Sequence, residues 1–207
     1  MGGHAFPHLH CPRMTPDRYF KFRQQTTTAL RHIYRHVVVP TELPSKTDYG
    51  DIDFLVASPI HAAPGDAFDW PTMVTKSKLA LQTPHGRRGH NNPSVIFCAV
   101  SAPVHDNEVW IQIDIKVCEK VEMFDWMRFR LNYASALKLV GSMIKPLGLN
   151  INPDGLHIRV KEMERTDMPG SMVFLTKEPK DVLKIFGLDR RILNAEFKTN
   201  EESKSSV

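Results

Sequence analysis

Two aspartates one residue apart are the side chains of this sequence best suited to chemistry. Asp51 and Asp53 follow Gly50 and lead into the apolar run at residues 54–56. In an extended strand, residues i and i+2 point to the same face, so the two carboxylates would project together. Two close negative charges repel each other unless a cation lies between them, and Mg²⁺ or Mn²⁺ prefers oxygen ligands of this kind.

A third aspartate interrupts an apolar segment further along the chain. Residues 109–117 alternate with a β period, and Asp114 lies near their centre, where a charge is costly. If this strand lies beside the first, Asp114 joins Asp51 and Asp53 as a metal ligand. Three convergent carboxylates suit a site with two metal ions, which activates an attacking hydroxyl and neutralises a triphosphate.

The elements that must position these acids follow from periodicity and from helix start and stop signals. A helix begins at Thr15-Pro16-Asp17 and is predicted to run to about His36. The other predicted helices cover residues 66–81, with an interruption at Trp70-Pro71, about 121–147 and 179–186. The predicted strands cover residues 37–39, 51–57, 94–101, 109–117, 156–160 and 171–176. The strands at 94–101 and 109–117 form a hairpin that should lie beside the Asp51 strand.

Residues 84–93 form a polar, basic, glycine-containing segment between a predicted helix and a predicted strand. Arg87 and Arg88 would supply positive charge if this segment swings over a phosphate. The alternative is a mobile surface connection with no functional contact. Both interpretations stay open at the level of the sequence.

Composition and charge restrict the class of protein. The chain has 207 residues, of which 42% are hydrophobic and 24% charged, as in an ordinary globular domain. The net charge of +4 allows nucleic acid as a partner without requiring it. Its three cysteines are scattered without metal-ligand spacing. We find no signal peptide and no apolar run long enough for a membrane span, so we expect an intracellular protein of the cytoplasm or nucleus.

We expect one domain over residues 15–189, flanked by two tails. Residues 1–14 contain His4, His8 and His10 among glycines and prolines, which predicts a disordered tail. Residues 190–207 are polar and predict a second tail.

The acidic segments resemble a known family. The run GDIDFLV (residues 50–56), together with Asp114, resembles the nucleotidyltransferase fold of the DNA polymerase beta-like superfamily. The runs LNINPDGLHIR (149–159) and FLTKEPKDVLKIFGLD (174–189) are similar to poorly characterised nucleotidyltransferase-like proteins of phages and fungi. The resemblance extends from about Arg31 to Asp189, which is most of the chain.

This resemblance implies a fold and an activity. The fold is α+β, a nucleotidyltransferase-like palm with a mixed sheet of five or six strands and helices packed on one side. The activity is transfer of a nucleotidyl group from a nucleoside triphosphate to a hydroxyl acceptor, dependent on Mg²⁺ or Mn²⁺. Matched residue by residue, Asp51, Asp53 and Asp114 are the metal ligands and catalytic residues.

One segment departs from the family pattern. Active members carry a Gly-Ser pair shortly before the paired acids, where backbone N–H groups and a hydroxyl hold the triphosphate. Residues 38–47 contain no glycine, and Pro40 and Pro44 each lack a backbone donor. Thr41, Ser45 and Lys46 are the candidate substitutes for nucleotide binding, with Arg87 and Arg88 from the later segment.

The departure leaves three functions open. The chain is a nucleotidyltransferase, a catalytically inactive nucleotidyltransferase-like module for binding or structure, or a phosphoesterase that uses water as the acceptor. The sequence specifies neither the nucleotide, the acceptor nor the oligomeric state.

Overall fold

The computed structural model of the protein describes residues 4–43, 46–62, 67–103, 108–188 and 193, without the side chains of residues 134–139. The helices are α1 (Pro16–Arg31), α2 (Trp70–Ala80), α3 (Phe124–Ile144) and α4 (Pro179–Phe186). The strands are β1 (Tyr34–Val38), β2 (Ile52–Pro59), β3 (His85–Arg88), β4 (Val95–Ser101), β5 (Trp110–Cys118), β6 (Leu149–Asn152), β7 (Gly155–Arg159) and β8 (Met172–Thr176). No helix among the described residues has the length and apolar character needed to cross a bilayer.

The contacts divide the chain into two compact units, whereas the sequence predicts one domain over residues 15–189. The first unit comprises residues 1–39 and 46–121, and the second comprises residues 40–45 and 122–207. The predicted tail at 190–207 lies outside the described residues, except for Leu193.

The first unit is built on a five-stranded mixed sheet with the order β1-β2-β5-β4-β3. Strands β2 and β5 are parallel, and the other neighbouring pairs are antiparallel. With helices and this mixed sheet, the α+β class that the sequence predicts is confirmed. The predicted hairpin is also confirmed, because β4 and β5 pair and β5 lies beside β2.

One face of this sheet carries the main apolar core. Ile52, Phe54 and Val56 alternate along β2 and are completely buried. They belong to the same cluster as Leu30 of α1 and Met73 of α2. Both helices therefore pack on this face, because their apolar stripes and the apolar positions of the strands bury one another.

The opposite face is covered by the larger part of residues 4–14, which we call the N-terminal strap, whereas Met14 at the end of the strap packs into the main core. Phe6 is only 5% exposed and packs against Ala99 and Trp110. The backbone N–H of Trp110 donates to the His10 carbonyl at 3.0 Å. The sequence predicts a disordered tail over residues 1–14, and the described part of that segment is ordered instead because it buries this aromatic anchor against the sheet.

Several element boundaries differ from those that the sequence predicts, and the helix predicted over residues 66–81 begins only at Trp70, without the expected interruption. Helix α1 ends at Arg31 rather than near His36, because buried Tyr34 already begins β1 and pairs with Pro59. The basic segment at 84–93 contains strand β3, whose backbone pairs with β4 from His85 to Arg88. It is therefore an edge strand of the sheet rather than a loop over its whole length.

The second unit contains α3, α4 and a three-stranded antiparallel sheet with the order β6-β7-β8. Its core contains Trp126, Phe129, Leu156 and Val182. The Trp126 indole N–H donates to the Asn152 carbonyl at 3.1 Å, so the buried indole keeps a hydrogen-bond partner. The predicted strands near 156–160 and 171–176 and the helix at 179–186 are confirmed, and β6 is additional.

Two glycines of the second unit should respond to alanine in opposite directions. Gly187 ends α4 with φ of +69°, a conformation that costs an L-residue about 1 kcal/mol. Gly141 lies inside α3, and a Cβ added there meets no atom within 4 Å. We expect Gly187→Ala to lower the melting temperature, and Gly141→Ala to stabilise the helix by about 0.5–1 kcal/mol. Thermal unfolding followed by circular dichroism tests both, and a stabilising Gly187→Ala would contradict the assigned helix end.

Candidate active site

The parallel pairing of β2 with β5 brings two of the predicted acids side by side. Asp53 and Asp114 are register partners in this pair. Neighbouring strands lie about 4.8 Å apart, and partners in register share a face of the sheet. Ile52 and Ile113 are the preceding partners and point to the apolar core. The two carboxylates therefore share the face that α1 and α2 leave to the strap.

The environment of Asp114 makes its negative charge costly. Burial, followed by the charges of Asp53 and Asp51, raises the pKa of the Asp114 carboxyl to about 7. A hydrogen bond from Gln112 opposes this rise, because it stabilises the ionised form. Three acids thus interact electrostatically where the start of β2 lies beside the middle of β5.

Asp51 comes immediately before β2 and is partly buried. The path of the backbone that leads to Asp51 is fixed two residues earlier, where Tyr49 and Met14 exchange backbone hydrogen bonds of 2.7 and 3.1 Å. The Tyr49 ring also stacks on Tyr19 of α1, with 3.8 Å between the ring centroids. The segment that carries the first acid is therefore held by the strap on one side and by the helix layer on the other.

The chemistry of these side chains fits a hard divalent cation. Carboxylate oxygens are the ligands that Mg²⁺ and Mn²⁺ prefer, and a cation would offset the repulsion that raises the pKa of Asp114. Within the described ranges, no three His, Cys, Asp or Glu side chains are arranged as a ready metal-binding group. The structure thus places Asp53 and Asp114 together, with Asp51 near enough to raise the pKa of Asp114.

Gln112 is a site residue that the sequence analysis missed. Its amide N–H donates to Asp114 Oδ1 at 2.7 Å, and its carbonyl Oε1 accepts from the Ala5 backbone N–H, also at 2.7 Å. The side chain is only 3% exposed. The available signal was its position two residues before Asp114, on the same face of an otherwise apolar strand.

The two predicted arginines lie on opposite faces of the edge strand β3. Arg87 shares a cross-strand row with Phe97, Asp114 and Asp53, since each is the register partner of the next. Its Nη2 donates to the Ala5 carbonyl at 2.8 Å. Arg87 therefore holds the strap beside the acids and does not extend over them.

Arg88 points to the helix side of the sheet. Its guanidinium lies 3.9 Å from the centroid of the Trp70 ring, and its Nε donates to the Pro93 carbonyl at 2.7 Å. Because adjacent residues of a strand alternate in direction, Arg88 is separated by the sheet from the face that carries Asp114. The structure does not bring it to the carboxylates.

The candidates from the proline-containing segment divide between described and undescribed residues. Ser45 lies outside the described residues. The Nζ of Lys46 lies 4.8 Å from the centroid of the Tyr49 ring, a cation–π distance, and the Tyr49 hydroxyl donates to the Lys46 carbonyl. Lys46 is thus packed against the segment that leads to Asp51.

Comparison with known proteins adds no family to this geometry. The chain matches no protein-family model, and no similar sequence was found among curated proteins.

The cost of the Asp114 charge should be visible in the pH dependence of stability. The pKa of the Asp114 carboxyl is higher in the folded protein than in the unfolded chain. Its contribution to the free energy of unfolding is therefore fully present below about pH 4 and is lost as the pH rises through about 7. Asn at this position keeps an acceptor for Gln112 and removes the charge. We expect Asp114→Asn to stabilise the metal-free protein by about 1–3 kcal/mol at pH 8 and to have little effect at pH 4.

Melting temperatures in EDTA across this pH range test the expectation. Asp17→Asn, a change at an exposed carboxylate in the first turn of α1, is the matched control and should give no such pH-dependent gain. Equal stability of Asp114→Asn and the unmodified protein at pH 8 would show that the charge is not desolvated.

Proposed function

We propose that this chain is a nucleotidyltransferase whose five-stranded sheet forms a nucleotidyltransferase-like palm. In this proposal Asp51, Asp53 and Asp114 bind Mg²⁺ or Mn²⁺, and a nucleoside triphosphate is the donor. The single observation that carries the proposal is the parallel register pairing of Asp53 with Asp114. Two carboxylates on one face, one of them desolvated, offer the oxygen ligands that a hard divalent cation prefers.

The reaction class follows from what such acids can do. The oxygen of an acceptor hydroxyl forms a bond to the α-phosphorus of the triphosphate, the bond from that phosphorus to the bridging oxygen breaks, and pyrophosphate leaves. The acceptor proton passes to the Asp114 carboxylate. When bound, divalent metal ions neutralise the phosphate oxygens and lower the pKa of the hydroxyl. Asp51 and Asp53 would hold those ions together with Asp114, and the ions would offset the negative charge of the triphosphate.

A second candidate function is a catalytically inactive binding or structural module. It is favoured by the contacts that the side chains predicted to bind phosphate make within the protein. Arg87 and Arg88 both donate to backbone carbonyls of their own unit, and Lys46 packs on Tyr49. Residues 38–47 also lack the glycine that a phosphate-binding turn of this family uses. The two functions differ in nucleotide binding, and both allow a bound cation.

Nucleotide binding therefore decides between the two functions. We expect each Mn²⁺–nucleoside triphosphate that binds to raise the melting temperature, since a ligand at a hundredfold excess over its Kd stabilises the native state by about 2.7 kcal/mol. The rise should depend on metal, and it should disappear in Asp53→Asn. Release of pyrophosphate in the presence of hydroxyl acceptors then measures transfer.

Asp17→Asn supplies the matched control, because it removes an exposed carboxylate from the same unit and should keep the full shift. A shift of equal size in Asp53→Asn would exclude the assigned carboxylates. No shift with any of the four ribonucleoside triphosphates, together with Mn²⁺ binding, would favour the inactive module. Release of inorganic phosphate in place of pyrophosphate would identify a phosphoesterase.

A further inference from the structure

The strap contacts the acid-bearing segments at both of its ends. Near its start, the Ala5 N–H donates to Gln112 and the Ala5 carbonyl accepts from Arg87. Both amide groups that flank the Cα of Ala5 are thus tied to side chains on the face that carries Asp114. The separation in sequence between Ala5 and Gln112 is 107 residues, so only the folded sheet brings them together.

Aromatic packing anchors this end of the strap. Phe6 is buried against Ala99 and Trp110. The Arg87 guanidinium lies 5.7 Å from the Phe6 ring centroid and 5.4 Å from the centroid of Phe97, the register partner of Asp114. The position of Ala5 is therefore determined by the contacts of its neighbour Phe6 as well as by its own hydrogen bonds.

The far end of the strap pairs with the segment that leads to Asp51. Met14 is 3% exposed and forms an isolated antiparallel bridge with Tyr49. Arg13 forms an ion pair with Asp48 next to this bridge. That pair is exposed and contributes little to stability, whereas the two backbone hydrogen bonds fix the path of the chain. The strap therefore contacts the chain close to two of the three acids.

The hydrogen bonds of Gln112 define the orientation of its amide group. Ala5 presents a donor, so the Gln112 Oε1 faces the strap and its Nε2 faces Asp114. The bond to Asp114 Oδ1 restricts rotation of the carboxylate and does not use its second oxygen. Groups that orient metal-binding carboxylates in this way typically change metal affinity by 10–100-fold when they are removed.

We propose that the N-terminal strap, acting through Gln112, holds Asp114 in the orientation that binds the divalent cation. The inference rests on the proposed function, because it concerns the same carboxylates. Gln112 is in this account a positioning residue, and Phe6 is the anchor that keeps Ala5 against it. The strap is then part of the metal site, although it supplies no ligand.

The probe is Mn²⁺ alone, with free Mn²⁺ measured by electron paramagnetic resonance in the full-length protein. Gln112→Met keeps the length of the side chain and removes both hydrogen bonds. Phe6→Ala leaves Gln112 and Asp114 unchanged and removes the anchor on the face away from α1 and α2. We expect the Kd for Mn²⁺ to rise about tenfold in each variant. Gln25→Met, the same change at an exposed position of α1, should leave the Kd unchanged.

A Kd within twofold of the unmodified protein in both variants would overturn the inference. If Gln112→Met does not fold, as judged by circular dichroism in EDTA, Phe6→Ala decides the question alone. A weakened Gln112→Met beside an unchanged Phe6→Ala would overturn the role of the strap.

A measurement without metal separates this inference from the proposed function. In ¹⁵N-labelled protein in EDTA, we expect the Gln112 side-chain N–H protons to exchange slowly and their resonances to shift in Phe6→Ala and in Asp114→Asn. Unchanged resonances in Phe6→Ala would overturn the strap contact itself. Failure of the unmodified protein to bind Mn²⁺, with this contact intact, would instead count against the proposed metal site.

Discussion

The parallel register of β2 on β5 is the constraint on which the rest of the candidate site depends. It aligns Ile52 with Ile113 and Phe54 with Ile115 on the core face, and all four side chains are completely buried. A slip of one residue would turn an aspartate into that core and expose an isoleucine, because side chains alternate along a strand. The hydrophobic register that stabilises the sheet therefore also fixes Asp53 beside Asp114. The position of the acids is a consequence of the packing on the opposite face.

The two faces of the first sheet are stabilised in different ways. The helix face is an ordinary apolar core shared with α1 and α2. The strap face combines a small aromatic cluster around Phe6 and Trp110 with the hydrogen bonds of Gln112 and Asp114. Burial and neighbouring charges raise the pKa of Asp114, so the ionised form destabilises the fold. A structural position of this kind would be more stable with an uncharged residue, and such costs are concentrated at functional sites.

Features that depend on residues close together in the sequence could be predicted, whereas features that depend on contacts between distant residues could not. Alternation revealed the two acid-bearing strands, and proline and glycine marked both ends of α4. The strap could not be predicted, because Ala5 and Phe6 are ordered by Gln112, Ala99 and Trp110, far away in the sequence. The same holds for β3: a polar, glycine-containing segment has little strand propensity, and its pairing with β4 decides its structure. Gln112 was missed because its role depends on the strap.

The internal contacts of the basic residues restrict how a triphosphate would bind. The Arg87 guanidinium is held by the Ala5 carbonyl between two aromatic rings, and Arg88 lies on the other face against Trp70. Using either as a phosphate ligand would require breaking a charge-assisted hydrogen bond and a cation–π contact. At the carboxylates, by contrast, a bound cation would offset the repulsion between the negative charges. Metal binding and nucleotide binding are therefore separate parts of the proposed function, and Arg87 and Arg88 would support the second only after giving up these contacts.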